Sequence, residues 1–260
     1  MATLPKTKRD AADALRRTIR GIEEAASPEQ PRLPLGVSRI DRALPGGGLR
    51  LGCIHEVAGD EAATGFCAAL LALALAAGPP GGRILWLARG DDLYAPGLVR
   101  YGIEAGQLLV VSGLRRREDI LWAMEEALRC RAVRGVVAEM GGVAGAGGVG
   151  PAAGGIGLAA GRRLMLAAEG TGVLGLVLSR RDGERRRGGG GVRTAVSRWR
   201  VTGVPGGHGG SDGPETRWRV ELLRCRGGRP GEWIVGWRDK GWKALPPSDA
   251  ASGPGMRHAG

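Results

Sequence analysis

The chain has 260 residues, enough to bury a sizeable core, and its 49 glycines and 15 prolines exclude a simple helical bundle. The net charge of +12, carried mostly by arginine, favours nucleic acid or an acidic protein as partner, although an arginine-biased solvated surface fits equally well. The four cysteines are scattered singly, so no zinc or other metal site and no redox pair is indicated, and neither a signal peptide nor a membrane span is expected. These features predict a reduced, cytoplasmic protein.

The first predicted element is an amphipathic helix at residues 7–26, which Ser27-Pro28 ends. A short helix ahead of a linker is not stable alone, so it packs on its own domain or docks on another chain. The side chains proposed to bind a partner lie on or beside its apolar stripe: Leu15, Arg16, Ile19 and Ile22. The predicted organisation is a helix and linker (1–30), a core domain (31–245) and a disordered tail (246–260).

From Leu33 onwards, apolar runs typical of buried strands alternate with helical patterns. Strands are predicted at 53–58, 83–88, 107–111, 134–139 and 172–179, and helices at 62–77, 93–102, 116–129 and 158–170. Residues 141–157 have no period and are expected to form a mobile loop. Such repeated β-α units predict an α/β fold with a mainly parallel sheet and helices on both faces.

After Ser179 the pattern changes. Residues 180–191 are basic and glycine-rich, which predicts a flexible loop, and strands follow at 193–201, 217–224 and 232–237. Strands joined directly in this way are expected to be antiparallel. A Gly/Pro/Ser-rich linker separates the first two of them. The tryptophans in this part are predicted to pack in the core or at a sheet edge rather than to stack on bases.

The stretch from Gly47 to Leu75 has the frame of a phosphate-binding P-loop, which is a strand, a glycine and an apolar helix. The motif requires G-x-x-x-x-G-K-[ST], but here Gly65 stands at the lysine position and Phe66 at the position of the magnesium-binding hydroxyl. Losing a lysine–phosphate pair worth ~4 kcal/mol lowers nucleotide affinity by roughly three orders of magnitude. The predicted relic of the loop comprises Gly59, Thr64, Gly65 and Phe66.

Several motifs along the chain resemble known proteins. The segments Ser38–Leu44 and Ile54–Gly59 are similar to the lead into the P-loop of the RecA recombinase core. A closer resemblance is to the ImuA family, RecA-like proteins of bacterial inducible-mutagenesis cassettes. It rests on motifs between residues 33 and 228, namely LPLG, ALPGGGL, HEVAG, DLYAP, RRLxLAAEG and WRVELLRCRGG.

This resemblance implies a RecA-like core, a cytosolic role in error-prone translesion synthesis, and three partners. These partners are RecA, the polymerase relative ImuB and an error-prone C-family DNA polymerase. In RecA a glutamate after the second strand activates water. Here Asp91 and Asp92 could replace it only after a loop shift, and Glu139 ends the fourth strand.

RecA also carries a DNA-binding loop where this chain has its basic loop, so weak, non-specific DNA binding is as probable as a solvated loop. The candidate side chains for this contact are Arg180, Arg181, Arg185, Arg186, Arg187 and Arg193. Our interpretation is a non-catalytic accessory factor of SOS mutagenesis that has no cofactor and does not bind a membrane. Two alternatives stay open: a RecA-like DNA-binding ATPase and a SulA-like inhibitor of cell division.

Overall fold

A computed structural model describes residue 18 and residues 30–90, 93–140, 156–180, 192–204 and 216–245. The predicted N-terminal helix apart from residue 18, most of the glycine-rich loop before residue 156, the basic loop after Arg180, most of the later linker and the predicted tail lie outside these residues. The strands are β1 (Arg32–Leu33), β2 (Leu49–Arg50), β3 (Cys53–Gly59), β4 (Arg83–Leu87), β5 (Leu108–Val111), β6 (Val133–Glu139), β7 (Leu174–Arg180), β8 (Ser197–Gly203), β9 (Thr216–Cys225), β10 (Gly231–Arg238) and β11 (Gly241–Leu245). The α-helices are α1 (Ser38–Asp41), α2 (Glu61–Ala77), α3 (Arg117–Arg129) and α4 (Leu158–Ala168).

Nine strands form one sheet in the order β11-β10-β9-β8-β3-β7-β6-β4-β5. The five strands from β3 to β5 in that order are mutually parallel, and the strands from β8 to β11 are antiparallel to one another. The prediction of a mainly parallel sheet with antiparallel C-terminal strands is confirmed. Strand β8 departs from this prediction on one side. It pairs in parallel with β3 and so joins the parallel and antiparallel halves of the sheet.

Helix α2 begins at the Asp60 N-cap and ends at Gly78, and it packs on β6, β7 and β8. Its side chains are buried around most of the helix, as the uniformly apolar sequence predicts, with Leu70 and Leu71 fully buried. Burial of each such leucine contributes about 1.5–3 kcal/mol. The helix therefore forms the centre of the core on one face of the sheet.

Helices α3 and α4 cover the opposite face of the parallel strands. Ile120, Met124 and Leu128 point inward from α3, as the amphipathic pattern predicts. The two helices are also joined at their surface, where Arg163 on α4 lies 3.4 Å from the Glu125 carboxylate on α3. No α-helix in the described ranges is long and apolar enough to cross a bilayer.

Three sequence predictions need correction. Residues 93–102 form no α-helix but a 3₁₀-helix at Ala95–Tyr101, because Gly97 disfavours a helix in its interior and Gly102, at positive φ, ends it. Arg193 lies in a turn before β8 rather than within a strand. Strand β11 was not predicted, since its hairpin turn places Asp239 and Lys240, rather than glycine, at positive φ.

Candidate functional site

An open cleft of about 590 Å³ lies at the carboxyl ends of β3 and β6, beside the first turn of α2. In open α/β sheets this edge is where ligands usually bind. Its walls come from four parts of the chain: the start of α2, residues 93–101, the end of β6, and the neighbouring ends of β8 and β9. The charged, polar and aromatic side chains that line the cleft are Glu61, Thr64, Tyr94, Arg100, Tyr101, Glu139, Arg217 and Trp218, and the backbone of Gly65 also lines it.

Gly59 ends β3 at the corner where a P-loop would begin. It lies opposite Val201 in the parallel pairing of β3 with β8. A Cβ atom at this position would overlap the backbone carbonyl oxygen of Val201. The glycine is therefore required for the close approach of these two strands, whether or not a phosphate binds nearby.

Asp60 occupies the N-terminus of α2 with its own carboxylate. One oxygen accepts a hydrogen bond from the Ala62 backbone N–H at 2.9 Å, and the other accepts from the Gly203 N–H at 2.9 Å. A carboxylate at this position satisfies a free helix donor and interacts favourably with the positive end of the helix dipole. The negative group at this helix end thus comes from the chain itself, and it also ties the end of β8 to α2.

Gly65 faces two aromatic side chains. A Cβ atom built on Gly65 would lie 2.5 Å from the Tyr101 hydroxyl oxygen and 2.8 Å from the ring of Trp218. The two rings are stacked, with centroids 6.2 Å apart and planes inclined by 16°. Burial also raises the pKa of the Tyr101 hydroxyl. No lysine fits at position 65 without displacing this aromatic pair.

The neighbouring Phe66 points into the core rather than into the cleft. It is fully buried, and its ring centroid lies 5.8 Å from that of Trp199 and 5.3 Å from that of Trp242. The structure therefore separates Phe66 from Thr64 and Gly65, which line the cleft. The Thr64 hydroxyl oxygen is buried and has no hydrogen-bond partner among the described residues.

Glu139 ends β6 at the rear of the cleft and is only 7% exposed. Its carboxylate accepts a hydrogen bond from the Trp86 indole N–H at 2.8 Å and from the Arg89 backbone N–H at 3.3 Å. These bonds tie the ends of β4 and β6 together. Asp91 and Asp92 lie outside the described residues, and within the described ranges no three His, Cys, Asp or Glu side chains cluster as metal ligands would.

A buried polar chain connects β3 to β8 in the sheet interior. The Nε2 atom of His55 donates to the Arg50 carbonyl at 2.7 Å, so Nδ1 accepts from the Ser197 hydroxyl at 2.6 Å. The Ser197 oxygen accepts in turn from the Trp199 indole at 2.7 Å. Burial lowers the pKa of His55 to about 4, so the imidazole is neutral at pH 7. Ser197 is fully buried, which excludes it as a nucleophile for an external substrate.

The comparison with known proteins gives no matching protein-family model. Protein ImuA of Caulobacter vibrioides strain NA1000 / CB15N is 40% identical over 232 residues, which cover 85% of this chain and 89% of that protein. Protein ImuA of strain ATCC 19089 / CIP 103742 / CB 15 matches to the same extent. The chain belongs to the ImuA family.

The DNA-binding candidates of this ImuA-family chain are only partly described. Arg180 ends β7 at the same sheet edge as Gly59, its register partner on β3. Arg193 is exposed in a turn, and its carbonyl oxygen lies 3.5 Å from an Arg224 nitrogen. Arg181, Arg185, Arg186 and Arg187 lie outside the described residues, as do the partner-binding candidates Leu15, Arg16, Ile19 and Ile22. Both sets therefore stay sequence predictions.

The sequence reasoning did not predict the contacts that shape the cleft most strongly. The N-cap role of Asp60 could have been predicted from the sequence, since aspartate directly before an apolar helix is a common N-cap. The contact between Tyr101 and Trp218 could not, because the two residues are distant in sequence and meet only through the order of the strands. The same holds for Glu56, which is buried and accepts hydrogen bonds from Arg198 at 2.8 Å and from the Val192 N–H at 2.9 Å.

Proposed function

We propose that this chain is a non-catalytic, RecA-like accessory factor of DNA-damage-induced, error-prone translesion synthesis, and that it acts in the cytoplasm through protein contacts. One observation carries the non-catalytic part. The chain's own groups fill the corner between β3 and α2 where a P-loop would bind phosphate, called here the phosphate corner. Asp60 caps the helix end where a phosphate would bind, and Tyr101 with Trp218 occupies the space of a lysine at position 65. The corner is thus a degenerate P-loop that keeps the strand, the glycine and the helix but lacks the residues that bind phosphate and magnesium.

Electrostatics and sterics both support this proposal. At this helix end a nucleoside triphosphate would meet the carboxylates of Asp60 and Glu61 with no lysine at position 65 to offset them, and the cations that line the cleft, Arg100 and Arg217, come from its other walls. Anions usually bind a helix N-terminus through its free N–H groups, but here the Ala62 N–H already has an intramolecular acceptor. The absence of a water-activating glutamate in the sequence pattern points in the same direction.

Membership of the ImuA family supports the biological part of the proposal. Members are encoded with inducible-mutagenesis cassettes, and the partners proposed here are ImuB, RecA and the error-prone C-family polymerase. Contact with RecA is assigned to the predicted helix at residues 7–26. Any contact with DNA is assigned to the basic loop after β7 and is expected to be weak and sensitive to salt.

Binding experiments with purified partners test this proposal. We expect ImuB and the mutagenesis polymerase to retain the full chain in a pull-down, and the tubulin-like division protein not to retain it. Retention by the division protein alone would instead favour the division-inhibitor alternative. Deleting residues 1–30 should weaken RecA binding, and unchanged RecA affinity would contradict the role of the N-terminal helix.

A double substitution tests the degenerate corner directly. We expect Gly65→Lys combined with Phe66→Thr to give no ATP hydrolysis, because the lysine has no space beside Tyr101 and no glutamate activates water. A folded variant that hydrolyses ATP measurably would contradict the proposal. Thermal unfolding of the variant distinguishes loss of the fold from absence of chemistry.

A further inference from the structure

Strand β5, Leu108–Val111, forms one end of the nine-stranded sheet, and within the described ranges it pairs with β4 alone. The Ala88 N–H donates to the Val111 carbonyl at 2.9 Å, so the amide groups of Val111 face β4. Amide groups of successive residues point to opposite sides of a strand, and those of Val110 therefore face the open side. The edge offers unpaired backbone donors and acceptors to another strand.

The side chains of this edge are apolar and exposed on both faces of the sheet. Leu109, Val110 and Val111 are 52%, 42% and 37% exposed. Proteins usually protect such edges with charges, prolines or bulges. The opposite edge, β11, follows that rule, because the exposed Lys243 lies at its centre. Within β5 itself, and among the described residues that pack on it, no charge, proline or bulge protects the edge.

Charged residues of opposite sign flank β5. Glu104 precedes the strand, and its carboxylate is held in place by a capping interaction with the backbone of Gln107. Arg115 and Arg116 follow the strand and are exposed. The Arg116 Nε atom lies 3.9 Å from a Glu118 carboxylate oxygen, which is long for an ion pair. An acidic residue before the strand and basic residues after it make the edge self-complementary in an antiparallel pairing.

We propose that the β5 edge is an interface between two copies of this chain, paired antiparallel about a two-fold axis at Val110. This register pairs the outward-facing amides of Val110 in one copy with those of Val110 in the other. Glu104 and Arg116 are equally far from Val110 in sequence, and the axis places the acidic residue before the strand of each copy on the same side as the basic residues after the strand of the other. Such an isologous contact forms a continuous sheet through both subunits. This inference does not depend on the proposed function.

The charge pattern favours a second copy over an unrelated strand, because one sequence supplies both halves of each ion pair. The strand is short, so we expect a weak dimer with a dissociation constant on the order of 10 µM. Sedimentation velocity of the full chain between about 1 and 200 µM should show a reversible monomer–dimer equilibrium across this range. A monomer at every concentration would overturn the proposal.

Val110→Lys is the most direct variant, because the two-fold axis places both introduced lysines opposite each other, where like charges repel. We expect the dissociation constant to rise by at least ~100-fold. The matched control is Ala244→Lys, an exposed position on the opposite edge strand, which should dimerise as the parent does. Unfolding temperatures near that of the parent would show that both variants fold. Equal dimerisation of folded Val110→Lys and Ala244→Lys would contradict the assignment.

A charge exchange distinguishes a two-fold pairing from other contacts. Glu104→Lys and Arg116→Glu should each weaken self-association by about tenfold, because each homodimer then places like charges together. Mixing the two variants should restore association, since the mixed dimer has opposite charges at both contacts. Failure of the mixture to associate more tightly than either variant would contradict the two-fold register. Binding of a different protein at β5 by a strictly monomeric chain would assign the edge to that protein instead.

Discussion

The two halves of the sheet are built from different residues and contribute differently to the candidate site. The parallel half has a core mainly of leucine, valine, isoleucine and alanine, with Trp86 and Phe66 as buried aromatic side chains, and provides the strand–glycine–helix corner at Gly59. The antiparallel half buries the aromatic side chains Trp199, Trp218, Trp237 and Trp242. Trp218 reaches across to Gly65 of the parallel half and fills the corner.

This difference supports the proposal that the corner between β3 and α2 is a phosphate-binding corner closed without loss of its frame. The parallel half alone keeps the geometry in which phosphate sites are built. The antiparallel half adds the indole of Trp218 and the Gly203 N–H that binds Asp60. The joint between the halves, at β3 and β8, therefore determines both the stability of the sheet and the state of the cleft.

Gly59→Ala should have the largest effect, because it breaks that joint. The added Cβ would overlap the Val201 carbonyl oxygen, so β3 and β8 would have to separate. We expect the free energy of unfolding to fall by more than about 4 kcal/mol, or the chain not to fold. Chemical denaturation measures the loss, with Gly106→Ala as control, since Gly106 has open space around it and an ordinary φ. Equal stability of the two variants would refute the packing role of Gly59.

Phe66→Ala should cost slightly less, about 3–5 kcal/mol, because it leaves a cavity among the aromatic side chains. Since Phe66 contacts Trp199, Trp218 and Trp242, tryptophan emission should also shift to longer wavelength. Val136→Ala, which truncates a fully buried residue on the other face of the sheet, should destabilise the chain with less change in emission. An unchanged spectrum in folded Phe66→Ala would contradict the aromatic core described here.

The His55 chain should make the joint sensitive to acid. Burial lowers the folded-state pKa of His55 to about 4, whereas an unfolded histidine has a pKa near 6.5. Between these values the unfolded state binds a proton that the folded state does not, so stability falls as pH decreases from about 6.5 to 4. The loss should reach about 3 kcal/mol.

Urea unfolding at several pH values measures this dependence, and His55→Gln is the comparison. The variant should be less stable at pH 7 and should lose less additional stability on acidification. The same pH slope in both proteins would show that His55 is not the titrating group.

Local sequence patterns predicted the elements of the parallel half well, because each buried strand and the apolar helix α2 has its own signature. They predicted the burial of most tryptophans, but not that Trp218 stacks on Tyr101, since that contact depends on long-range strand order. The parallel pairing of β8 with β3 was missed for the same reason, whereas its antiparallel pairing with β9 was predicted. At the site, the missing lysine was evident from the sequence, whereas the groups that replace the phosphate became visible only in the structure.

The central claim is that the chain's own groups close the phosphate corner. Isothermal titration calorimetry of the full chain with magnesium-ATP tests it most directly, combined with an assay for released phosphate. The account predicts no saturable binding up to about 1 mM and no turnover, because Asp60 and the aromatic pair replace the missing phosphate contacts. Saturable micromolar binding with phosphate release would contradict it.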